Sequence, residues 1–121
     1  MSAEYKRYTT PTMPIKLKGI TLDNLTEIKF RFKAKDDEKS PVLHEVGFVI
    51  KDVPYNKVEE LFETGDDYVI VNIPFSKEDT LKLPPGNIFV DILPICNDSI
   101  LRIKKKPSFK MDSTYFANKE A

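Results

Sequence analysis

Covalent catalysis needs a nucleophile beside a base, and a metal centre needs several ligands that converge. This chain has one histidine, His44, and one cysteine, Cys96. Neither has a second histidine or cysteine nearby to complete a pair, so the expectation is a non-enzyme with no catalytic residue, cofactor or metal ligand. His44 shares the even-numbered register of Val42, Val46, Phe48 and Ile50, which predicts a partly buried imidazole near a strand end. Cys96 follows Ile95 at the end of an apolar run and reads as a small hydrophobic filler. The acidic groups Asp36-Asp37-Glu38 and Asp66-Asp67 lack the spacing and glycine of a calcium loop, so they read as solvated turns.

The side chains that suggest recognition lie toward the two ends. Tyr5, Arg7 and Tyr8 precede the first clear strand, and Tyr115 and Phe116 sit in a polar C-terminal stretch. Tyrosine and arginine are enriched in protein interfaces, although such residues also anchor chain ends onto a protein's own surface. Lys104-Lys105-Lys106 is a run of three cations, too short for nucleic-acid binding without a stacking platform or a phosphate cradle. Alternation puts Lys104 and Lys106 on one strand face, where they guard an edge or form the polar rim of a contact. The expected partner-binding set is therefore Tyr5, Arg7, Tyr8, Lys104, Lys106, Tyr115 and Phe116.

Composition narrows the class of partner. Of 121 residues, 40% are hydrophobic, enough for one modest core, and 19 basic residues balance 19 acidic ones. With no net field to steer it, the chain is expected to bind neither nucleic acid nor membrane. The apolar stretches Tyr68 to Phe75 and Ile88 to Cys96 are interrupted by Asn72, Asp91 and Pro94, so neither reads as a membrane span. The start MSAEYKRY lacks the apolar run of a secretory signal, and a single cysteine forms no internal disulfide. Both features lead to an expectation of synthesis in a reducing cytoplasm.

The elements that must position these residues are mostly strands. From Glu27 to Lys35, Ile28, Phe30, Phe32 and Ala34 alternate with Lys29, Arg31, Lys33 and Lys35. A helix would leave Phe30 and Phe32 about 200° apart, so period two predicts a half-buried antiparallel strand. Met13, Ile15 and Leu17 follow the same rule, as do Val46, Phe48 and Ile50. Tyr68 to Pro74 reads as a central strand, and Asn87 to Ile95 reads as one arm of a hairpin that turns at Asn97-Asp98 into Ser99 to Lys106. Ser108 to Met111 completes the count at about seven.

Two links interrupt the strands. Val58, Leu61 and Phe62 have helical spacing within Asn56 to Thr64, with Gly65 as a stop. Ser76 is an N-cap for a short helix that Pro84 and Pro85 must end, and Pro85-Gly86 fits the centre of a type II turn. Several strands with one apolar face each require a second layer. The predicted fold is an all-β, antiparallel two-sheet immunoglobulin-like sandwich over residues 1–111, with a partly open barrel as the competing architecture and a flexible tail over 112–121.

A family pattern lies on this frame. The opening Arg7-Tyr8-Thr9-Thr10-Pro11-Thr12, the link Pro74-Phe75-Ser76-Lys77-Glu78-Asp79-Thr80-Leu81, then Pro85-Gly86 and the strand Ile88-Phe89-Val90-Asp91-Ile92, form one phrase. Together they resemble a recurrent small protein of tailed phages and prophages of Gram-positive bacteria, similar to immunoglobulin-like domains of tail and baseplate components. The chain departs from that pattern at Ser76-Lys77, where threonine-glutamine is commoner, and at Asn97-Asp98-Ser99, where aspartate-glycine is usual. The stretch from Asp52 to Asp67 is longer than typical.

The resemblance implies a structural role in virion assembly, with synthesis in the bacterial host cytoplasm. It implies partners that are copies of the chain, forming a homo-oligomer, or larger phage structural proteins. It transfers no catalytic residue. A carbohydrate-binding module for host-surface recognition is the alternative expectation: Tyr5, Tyr8, Tyr55, Tyr68 and Tyr115 could stack on sugars, although the chain has no tryptophan.

Overall fold

Met13, Ile15 and Leu17 are buried on one face of a strand, while Thr12, Pro14, Lys16 and Lys18 face water on the other. The same physical rule builds most of the protein, because a strand's side chains alternate and only one set can leave water. The computed structural model describes residues 3–6, 10–97, 99–100 and 108–112, with side chains for 10–97, 108 and 109. Among these residues the strands are β1 (Ala3–Lys6), β2 (Thr12–Lys18), β3 (Leu25–Lys33), β4 (His44–Val49), β5 (Phe62–Thr64), β6 (Tyr68–Pro74), β7 (Gly86–Cys96), β8 (Ser99–Ile100) and β9 (Ser108–Asp112). Short helices α1 (Tyr55–Leu61) and α2 (Lys77–Leu81) link them.

The strands form two sheets. The larger runs β1-β9-β7-β3-β4, with β8 also pairing with β7, and the smaller runs β2-β6-β5. All pairings are antiparallel except β1 with β9, which is parallel. Taking β2 to β7 as B, C, C′, D, E and F, and β9 as G, gives sheets G-F-C-C′ and B-E-D. That is the strand order of an immunoglobulin-like sandwich, with β1 added beside G. The fold is therefore an all-β, immunoglobulin-like two-sheet sandwich.

One core joins the sheets. Met13, Ile15, Leu17, Val69, Val71 and Ile73 line the small sheet, and Ile28, Phe30, Phe32, Ile88, Val90 and Ile92 line the large one. Apolar area removed from water at about 25 cal/mol per Å² drives this closure. An inter-sheet disulfide and a buried tryptophan mark antibody domains of this fold. This chain has neither tryptophan nor a second cysteine, so phenylalanine and aliphatic packing carry the centre.

Several local expectations are corrected. The strand expected to reach Lys35 ends at Lys33, and Ala34 is exposed, because the chain turns away into the polar loop 34–40. Gly65 is not the stop for α1. Phe62 takes an extended conformation, closes the helix through its N–H to the Val58 carbonyl, and starts β5 opposite Val71. Its ring packs edge-on against Phe48 of the other sheet at 5.8 Å, so burial of that ring wins over one more helical turn.

Among the described residues, the short strands β1 and β5 are paired as well, beside the seven or so expected. The expected domain limit at 111 falls inside β9, which runs to Asp112, and residues 113–121 lie outside the described residues. Two other expectations hold where they can be followed. β7 and β8 form a hairpin across Asn97, whose φ is +49°, although Asp98 and the rest of the expected arm to Lys106 lie outside the described residues. Gly86 has the positive φ, +109°, that its turn requires.

Candidate functional site

Parallel pairing of β1 with β9 joins the two ends of the described chain. Ala3, Glu4, Tyr5 and Lys6 stand opposite Phe109, Lys110, Met111 and Asp112. Of the residues expected to contact partners, Tyr5 is thus set in a strand on one edge of the large sheet, level with Met111. Arg7, Tyr8, Lys104, Lys106, Tyr115 and Phe116 lie outside the described residues.

Among the described residues, the two sheet orders end in four strands, beside the two-residue β8, and they differ in how open they are. β2 carries Pro14, which has no N–H to donate, with Lys16 and Lys18 beside it. β5 has only three residues, and α1 packs beside it. β1 has four and includes Lys6. β4 is the longest of the four after β2, and its six residues His44-Glu45-Val46-Gly47-Phe48-Val49 contain neither proline nor lysine. Its inner neighbour is β3, with Arg31 opposite Glu45 and Lys29 opposite Gly47. The Arg31 Nε to Glu45 Oε2 separation is 3.5 Å on the solvent-facing side.

At the start of β4, His44 is buried among aromatic rings, as its register predicted. Its ring centroid lies 5.5 Å from that of Phe32 and 5.7 Å from that of Phe75. Its Nε2 has no hydrogen-bond partner and lies 3.9 Å from Asp79 Oδ1. Burial holds the imidazole below its ordinary pKa; Asp79 pulls the other way and Lys82 adds to the burial. The ring is therefore neutral at pH 7, and its approach to Asp79 is not an ion pair there.

Asp79 has a structural duty of its own. Its N–H donates to Ser76 Oγ at 3.1 Å, and its Oδ2 accepts from the Ser76 N–H at 2.9 Å. This reciprocal pair caps α2 within the link singled out in the sequence. Partial burial pushes the Asp79 carboxyl upward, but the Ser76 hydrogen bonds and the neighbouring cations outweigh it, so the group sits below its ordinary pKa.

Sequence reasoning missed an ion pair on the outer face of the large sheet. Lys33 and Asp91 belong to faces assigned to solvent, yet Lys33 Nζ lies 2.8 Å from Asp91 Oδ2 and also reaches the carbonyls of Asp37 and Glu38 at 3.5 Å. Only the opposite charges at diagonal positions of adjacent strands hinted at it.

The remaining candidates behave as structure. Cys96 is partly buried against the core, and desolvation raises its thiol pKa, which makes it less reactive. The Asp37 carboxylate accepts from the Lys39 N–H at 2.9 Å within its own turn. Among the described residues, no group of three or more His, Cys, Asp or Glu side chains could hold a metal ion, and no helix is long and apolar enough to cross a membrane. The ring of Tyr68 is covered by Lys16 Nζ at 4.3 Å from its centroid, whereas Tyr55 is exposed.

No protein-family model matches the chain, and none of the curated proteins matches it. Among solved structures, the NK cell receptor Nkp44, described as a triggering partner in natural cytotoxicity, is similar over 92% of this chain and 96% of its own. Identity is 13% and the TM-score is 0.35. A likeness at that level says nothing about function, and the fold assignment stands on strand order.

Proposed function

We propose that this chain is a non-catalytic structural protein of a tailed phage or prophage, acting in tail or baseplate assembly through protein–protein contacts. The observation that supports it is the pairing of β1 with β9, which gathers both ends of the described chain at one sheet edge, with Tyr5 among them. Extended segments add to such edges through main-chain hydrogen bonds, so edge strands serve well in assembly.

The phrase that carries the family resemblance also has a physical role. Ser76 to Leu81 forms the capped link between the small and large sheets, and Gly86 turns the chain into β7. Those residues maintain the sandwich, which leaves edges and ends for partners. Synthesis takes place in the bacterial host cytoplasm, and the partners are copies of the chain or larger structural proteins of the particle.

Co-expression with the structural proteins encoded beside it, followed by light scattering of the purified complex, tests the reading. A stable complex with one of them, or a discrete homo-oligomer, is expected. A chain that stays monomeric and binds none of them contradicts the proposal.

A further inference from the structure

Among the described residues, two buried side-chain nitrogens make no hydrogen bond, Arg31 Nε and His44 Nε2. Arg31 leads out to Glu45 on the solvent-facing side of the large sheet. His44 is different. Its side chain is only 8% exposed, and the rings of Phe32 and Phe75 flank it. An unpartnered polar atom in such a place is costly, and in a native fold it calls for a role.

Among the described residues, the charged groups facing this ring come from one element. α2 contributes Asp79, with Oδ1 3.9 Å from Nε2, and Lys82, whose Nζ lies 3.8 Å from that same oxygen. β3 and the residue before the α2 cap contribute the two phenyl rings, and Glu45, next along β4, points to the opposite face beside Arg31.

We infer that His44, Asp79 and Lys82 form an acid-operated latch: a proton taken up at Nε2 turns the unpartnered atom into a donor, Asp79 Oδ1 closes on it, and Lys82 is released to water. The inference stands apart from the assembly reading above, since it concerns the fold of one chain.

What each group loses decides which of them moves. A charge-assisted N–H to carboxylate bond is about 2.7–2.9 Å long, so the gap to be closed is ~1 Å. Asp79 Oδ2 already accepts from the Ser76 N–H at 2.9 Å, which leaves Oδ1 for the new donor and lets the helix cap survive. Lys82 is half exposed, so water replaces the carboxylate there at small cost. His44 has no such alternative, because a charged ring at a dry site keeps its desolvation penalty until an anion meets it. The proton therefore transfers Asp79 from the exposed cation to the buried one. The contact ties the first residue of β4, an end strand of the large sheet, to the link that joins the two sheets. Burial still dominates the balance at His44, so the latch offsets part of the cost of protonating the ring without abolishing it.

The chain has one histidine, so its ring signals in an NMR pH titration identify themselves. In the wild type, the Asp79 carboxyl carbon should shift at the same midpoint as the His44 ring, above the pH at which Asp79 itself takes a proton. The Nε2 proton should be protected from exchange with water below that midpoint. Asp79→Asn keeps an oxygen for the Ser76 N–H but removes the anion, and should weaken proton binding at His44 by about tenfold, the low end of what an opposite charge at this range supplies. Lys82→Met should strengthen it. Both variants should keep the wild-type circular dichroism at pH 7.

An Asp79 carbon that stays still while His44 titrates overturns the latch, as does an unchanged His44 midpoint in Asp79→Asn. An Nε2 proton that exchanges as fast as in free histidine shows a charge left unpaired and overturns the closing step. Unfolding of the wild type before the ring titrates also overturns it, since the protonated folded state is then never populated.

Discussion

Lys33 reaches diagonally across the large sheet to Asp91, with Nζ 2.8 Å from Oδ2 and the two side chains only 9% and 20% exposed. Removing one member of such a pair leaves a poorly hydrated charge, whereas removing both with apolar side chains of similar size is often neutral. Asp91→Asn is expected to cost about 2–3 kcal/mol, less than the ~3–5 kcal/mol usual for a broken buried pair, because the site keeps some solvent and Lys33 keeps two carbonyl contacts. Lys33→Met with Asp91→Leu should recover most of that loss. Urea unfolding with an unchanged m-value checks both.

His44 should make the fold sensitive to mild acid. Burial lowers its folded-state pKa below 6.5, so below pH 6.5 the unfolded chain binds a proton that the folded chain resists. Stability is complete above the unfolded pKa, declines as pH falls below 6.5, and levels off beneath the folded pKa. Asp79, also held below its ordinary value, adds a separate loss only under about pH 3.8. His44→Phe should flatten the urea midpoint between pH 7 and pH 5, and an unaltered slope in that variant counts against a buried neutral imidazole.

The cap of α2 is a local, measurable contribution. Ser76→Ala should cost about 1 kcal/mol, because the Asp79 N–H loses its acceptor. Ser76→Thr should keep most of it. Asp79→Ala combined with Ser76→Ala should cost less than the sum of the singles, since each loss breaks the same reciprocal pair. Thermal denaturation of the three variants and the double variant decides this.

Gly86 holds a backbone that other residues enter only with strain. Nothing lies within 4 Å of a Cβ built there, so Gly86→Ala tests the φ of +109° without a packing clash. A loss of about 1–3 kcal/mol is expected from the backbone alone. The matching change Gly47→Ala, where φ is not positive, should cost much less, and equal losses at the two sites contradict the conformational explanation.

What the sequence revealed of this fold followed the strength of alternation. β2, β3, β6 and β7 announce themselves because one face of each is continuously apolar, and β7 is apolar on much of its other face too, with Asp91 interrupting it. β1 and β5, four and three residues long, carry no such pattern. They exist because β9 and β6 offer free hydrogen-bonding edges, which is tertiary information. Parity also assigned Lys33 to an outer face, but parity does not say whether an outer face is covered.

The candidate site was legible in the same uneven way. His44 could be placed from its register with Val46 and Phe48. Its approach to Asp79 could not, since the 34 intervening residues must fold before α2 arrives. Tyr5 was singled out as a contact residue, but neither its place in a strand paired with β9 nor the open β4 edge was legible. The sequence there reads as an ordinary strand, and only the finished sheet shows that nothing pairs with its far side among the described residues.

The assembly reading is tested most directly by quantitative mass spectrometry of density-purified particles from an induced lysate of the host bacterium. Peptides of this chain in fixed proportion to the tail or baseplate proteins are predicted, persisting after a high-salt wash. Abundant chain in the lysate with none in washed particles contradicts the account.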